Sequence, residues 1–139
     1  MYQIFFLAVF LNALCGLILI TGKNEKNAIK PVPGFILDID YWNRPMPLVI
    51  CGISSVLTGV LKLLSVTEGN IVFLGDLLPA AYAMFLGAVL LLRSSAIQGG
   101  KAEKVIKAPN PILAHTKIIG IGGIAVAIIH FFLHPVLFL

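Results

Sequence analysis

Four apolar stretches, parted by polar connections, set the pattern of the chain. Ile4–Ile20 is apolar except for Asn12. Leu48–Val66 and Ile71–Leu92 follow, separated only by Thr67-Glu68-Gly69-Asn70, and the last stretch runs from Ile118 to Leu139. Each is close to the ~20 residues a helix needs to cross a hydrocarbon core. The polar turn between the central pair is too short to let those helices do anything but lie antiparallel, side by side. The pattern therefore predicts transmembrane helices over residues 3–21, 48–66, 71–92 and 117–138, with loops 22–46 and 93–116 on one side. The expected fold class is an all-α membrane protein: a single domain over 1–139 whose four transmembrane helices form an antiparallel bundle.

Composition agrees with this pattern. The 139 residues are 59% hydrophobic and only 12% charged, with a mean hydropathy of +1.02. A soluble domain carries about 25% charged residues, so much of this surface must face something other than water. The first apolar run has no basic segment before it and stays apolar past any plausible cleavage site, which favours a helix over a signal peptide. Asn12-Ala13-Leu14-Cys15 is a poor lipoprotein box, because Leu14 is ill-suited before the cysteine. Cys15 and Cys51 form neither a CxxC pair nor a metal-ligand spacing and are expected to be small buried hydrophobes. No basic stripe interleaved with aromatics is present, so nucleic acid is not an expected partner.

Charge placement sets the expected orientation. Lys23, Lys26, Lys30 and Arg44 lie in the first long connection, and Arg93, Lys101, Lys104 and Lys107 in the second, with Lys117 at its edge. The opposite side has only the turn with Glu68 and, nearest to it, Lys62. Cytoplasmic loops collect Lys and Arg, so both connections are expected inside and both termini outside. Pro31, Pro33, Pro45 and Pro47 are expected to interrupt any helix through the first connection. Tyr41, Trp42 and Arg44, just before the second apolar run, have the character of an interfacial anchor. The expected partners are membrane lipids and either other membrane subunits or further copies of the chain. The Ile- and Lys-leaning composition points to a bacterial inner membrane.

Two kinds of residue stand out inside the apolar runs. Gly52, Ser55 and Gly59 share one helical face, and Gly75, Pro79, Ala83 and Gly87 recur every fourth residue. In lipid, close approach of helices relies on such small-residue faces. Pro79 is also expected to kink its helix. The second kind is polar. In a hairpin turning near Gly69, positions whose numbers sum to about 138 share a depth at ~1.5 Å rise per residue. Lys62 and Asp76 then lie side by side, roughly 8–10 Å below the outer helix ends. His130 and His134 follow in the outer half of the fourth run. The predicted polar cluster is Lys62, Asp76, His130, His134 and Glu68.

Three chemistries suit such a cluster. It can be a structural ion pair that neutralises two costly charges, a path for a proton, ion or small ligand, or, through the i, i+4 histidines, a metal or haem site. Two histidines alone are thin support for the last, so neither a metal nor a cofactor is expected. Serine-hydrolase, zincin and P-loop motifs are all missing, and an enzyme is not expected. The glutamate that small multidrug exporters carry in their first helix is also missing, as are the defining residues of fluoride channels, thiol-redox quinone reductases and rhomboid-type proteases. The leading expectation is a non-catalytic accessory or structural subunit of a larger membrane complex. The alternatives are a small homo-oligomeric channel or transporter using Lys62, Asp76 and His130, and a haem- or quinone-associated redox subunit.

Overall fold

The structure, a computed structural model, describes residues 2–21, 39–42, 44–64, 77–98 and 111–133. Every element among them is helical: α1 (Tyr2–Thr21), α2 (Ile39–Trp42), α3 (Pro45–Leu64), α4 (Leu77–Gln98), α5 (Pro111–Ala114) and α6 (Thr116–Leu133). Three helices, over Gln3–Thr21, Pro45–Leu64 and Leu77–Gln98, are long and apolar enough to cross a membrane by length and composition, and Thr116–Phe132 is a shorter apolar helix. The expected turn 67–70, helix residues 65–66, 71–76 and 134–138, and residues 22–38, 43 and 99–110 of the two long connections lie outside the described residues.

Two boundaries differ from the sequence reading. The second apolar helix starts at Pro45, not Leu48, so Pro45 and Pro47 belong to a helix rather than to an interrupted loop. Both sit in the first turn, where a missing N–H leaves no intrahelical bond unmade. Arg44 closes this start: its N–H donates to the Tyr41 carbonyl at 3.0 Å and its carbonyl accepts from Leu48 N–H at 3.4 Å. The third helix runs on to Gln98, past Leu92 and through Arg93. Hydropathy marks the edge of the apolar slab, whereas the backbone meets its first strong breaker only at Gly99-Gly100. Finally, Pro79 is the third residue of α4. A kink there would involve the turn before Leu77, which lies outside the described residues.

The helices pack closely as two pairs, α3 with α4 and α1 with α6, while α1 also touches α3 and α4, and α4 touches α6. Along α3 and α4 the numbers run in opposite directions: Gly52 meets Gly87, Ser55 meets Ala83 and Gly59 meets Ala80. Gly16 meets Gly120 and Phe5 meets His130 in the same sense on α1 and α6. Cys15, Ile18 and Leu19 of α1, Leu48 and Cys51 of α3, and Leu86, Val89 and Leu90 of α4 form the core. What α3 buries is mostly small or polar: Gly52, Ser55, Thr58 and Gly59. What it exposes is large and apolar: Ile50, Ile53, Leu57, Leu61 and Leu64. A helix in water shows the reverse arrangement, so this one is built for an apolar surrounding.

Candidate functional site

The small-residue face of α3 carries a lysine inward with it. Lys62 follows Ser55 and Gly59 at i+7 and i+3, positions that share a face. His130, near the end of α6, meets it from the other helix pair: Lys62 Nζ and His130 Nε2 are hydrogen-bonded. Phe5, in the first turn of α1, covers both. Its ring centroid lies 5.3 Å from Lys62 Nζ and 4.7 Å from the His130 ring, tilted by 48°. Lys62 is only 5% exposed and His130 7%. One contact thus joins α1, α3 and α6.

The chemistry of this contact is constrained by its donors. An ammonium has three N–H groups and no lone pair, and an imidazolium likewise only donates. A hydrogen bond between Nζ and Nε2 therefore needs a lone pair on one of them. With Lys62 as the ammonium, His130 is neutral and protonated at Nδ1. The phenyl face adds a cation–π contact, since the nitrogen lies within ~6 Å of the ring centre. The arrangement can hold and share a proton at a junction of three helices.

Other buried or half-buried polar groups link helices too. Asn12 Nδ2 donates to the Pro79 carbonyl at 3.2 Å, joining α1 to α4. Ser55 Oγ donates to the Ala83 carbonyl at 2.8 Å and Ser94 Oγ to the Pro45 carbonyl at 2.9 Å, tying α3 to α4 in its middle and at one end. Tyr82 O–H donates to the Ile119 carbonyl at 2.9 Å, between α4 and α6. The Cys15 thiol lies 4.0 Å from the Cys51 carbonyl, a weak contact between α1 and α3. Both cysteines are buried and free.

The small-residue faces meet at backbone contact. A Cβ placed on Gly87 would lie 2.6 Å from the Gly52 carbonyl oxygen, and one on Gly59 2.8 Å from that of Ala80. Gly16 and Gly120 close on each other in the same way, at 2.6 and 2.5 Å.

A protein-family model matches residues 1–130. The chain belongs to that family. The family is uncharacterised, so membership adds no activity to the residues above. No curated protein and no solved structure matches the chain.

Of the polar cluster read from sequence, Lys62 and His130 are brought together, while Asp76, Glu68 and His134 lie outside the described residues. Gly52, Ser55, Gly59, Ala83 and Gly87 lie in the α3–α4 seam, Pro79 instead accepts from Asn12 on α1, and Gly75 is outside the described residues. Tyr41 is half-exposed and stands edge-on to Trp42 at 5.8 Å between centroids. Trp42 packs against the core and Arg44 is exposed. Sequence reasoning assigned no role to Phe5, Tyr82, Ser94, Gly16 or Gly120. The Gly120–Gly122–Gly123 cluster was the available signal for the last pair, because glycine is costly in a helix interior unless something approaches closely. Phe5 offered none, since a phenylalanine at a helix start is unremarkable.

Proposed function

We propose that the protein is a non-catalytic structural component of a membrane assembly. In this reading its four apolar helices cross the bilayer as an antiparallel bundle, with both termini outside and the basic connections in the cytoplasm of a bacterial cell. The observation that carries it is the use of the interior polar groups. Asn12, Ser55, Tyr82 and Ser94 each bond a backbone carbonyl of another helix, and Lys62 bonds His130. These groups hold the protein's own helices together, and the outward faces are large and apolar, as on Ile118, Ile121, Ile128 and Phe132 of α6. Lipid or a neighbouring membrane subunit suits such a face.

Mass determination of the intact complex after gentle-detergent extraction tests this proposal. Stoichiometric foreign subunits are expected; a monomer or a pure homo-oligomer would contradict it. A homo-oligomeric channel or transporter is the second reading, and the hydrogen bond between the buried Lys62 and His130 supports it. Proton flux into proteoliposomes that is unchanged by Lys62→Met combined with His130→Gln would remove that alternative.

A further inference from the structure

We propose that the end of the molecule where α3 and α6 start and α4 stops binds the headgroups of anionic phospholipids. Arg44, Arg93 and Lys117 all lie at this end. The Ser94–Pro45 hydrogen bond of 2.9 Å puts Arg93 and Arg44, each next in sequence to one of those residues, at a common level. The Gly16–Gly120 contact brings the start of α6, with Lys117, to the closing turn of α1. Lys62, the other described cation, is buried beside His130 towards the opposite end of α3. In sequence, these helix ends and the segments that connect them hold nine Lys and Arg against four Asp and Glu.

The surroundings of these cations favour a lipid over a soluble acidic partner. Arg44 is followed by Met46 and Ile50, 73% and 59% exposed, and Lys117 by Ile118, 66% exposed. A cation beside an outward apolar side chain matches a phosphate attached to an acyl chain. Tyr41 and Trp42 stand two or three residues from Arg44, and aromatic rings with one polar tip settle at headgroup level. Each Lys or Arg near an anionic surface strengthens attraction about fivefold, and the effect fades within a Debye length.

This inference rests on the reading that the helices cross a bilayer. The test is reconstitution of the full chain into nanodiscs of mixed phosphatidylcholine and phosphatidylglycerol, followed by mass analysis of the lipids retained in mild detergent. Wild-type protein is expected to keep phosphatidylglycerol in preference. Arg44→Gln and Lys117→Gln are each expected to reduce that preference about fivefold. Equal retention of both lipids by the wild type overturns the inference, whether or not an acidic protein co-purifies. So does an unchanged preference in variants with intact helical circular dichroism. Should the variants not fold, wild-type protein at about 1 M salt decides, because screening to ~3 Å should erase a headgroup preference. A chain that never enters the nanodiscs would overturn the membrane-spanning reading as well, so the two failures are distinguishable.

Discussion

An ammonium at the centre of a bilayer helix costs about 2.5–3.5 kcal/mol on insertion scales. Lys62 stands in the last described turn of α3, nearer a helix end, where its contacts include the His130 nitrogen and the face of Phe5. The two side chains should therefore be energetically coupled. A double-mutant cycle with Lys62→Met and His130→Leu, read by denaturant unfolding in micelles, is expected to give a coupling of about 1–2 kcal/mol, within the range for residues in contact. Additive effects would mean that the contact contributes nothing. Asn12 gives the opposite expectation. Its Nδ2 bonds the Pro79 carbonyl, but its buried Oδ1 meets no donor among the described residues. Asn12→Leu removes one modest bond and one unsatisfied acceptor together, and should stay within about 1 kcal/mol of wild type. A loss well beyond that would show that the Oδ1 is satisfied. Lys62 and Asn12 were conspicuous in the sequence because polar atoms are rare in apolar runs. The partner atoms were not: a backbone carbonyl leaves no mark in the sequence, and Phe5 resembles any other apolar residue there.

Between helices, the decisive quantity is how closely two backbones approach. The Gly52–Gly87 contact leaves no room for a side chain on either helix. Gly87→Val should therefore lower stability by about 1–3 kcal/mol, as overpacking does. Ala88→Val, one residue on and exposed, should change it by less than about 0.5 kcal/mol. Equal effects in a thermal unfolding series in micelles would place the seam elsewhere. The small-residue pattern of α3 was legible because Gly52, Ser55 and Gly59 keep to a spacing of three and four. On α4 a strict spacing of four misleads. Each step of four advances 40° beyond a full turn, and it is Ala80 that stands opposite Gly59, while the Pro79 carbonyl accepts from Asn12. The helix ends were misjudged for a related reason. Arg93 and Ser94 end the apolar run, yet neither ends a helix, and Ser94 anchors α4 to the start of α3.

At the level of the whole molecule, the described residues turn several polar side chains inwards and many large apolar ones outwards. Buried Asn12, Ser55, Lys62, Ser94 and His130 lie within a shell of exposed Ile, Leu and Phe. That inversion was legible from composition, since 12% charged residues cannot clothe a chain in water. The pairing of α1 with α6 was not, because no short connection enforces it as the turn after Val66 was expected to do for the hairpin. In the proposed topology the helices cross the membrane, with the ends bearing Arg44, Arg93 and Lys117 in the cytoplasm. The most direct measurement is labelling of single cysteines in intact cells with a membrane-impermeant maleimide, in a background carrying Cys15→Ala and Cys51→Ala. Gln3→Cys and a cysteine tag after Leu139 are expected to react from outside, and Gln98→Cys only after permeabilisation. Reaction of Gln98→Cys in intact cells, or a terminus that reacts only after permeabilisation, would contradict this account.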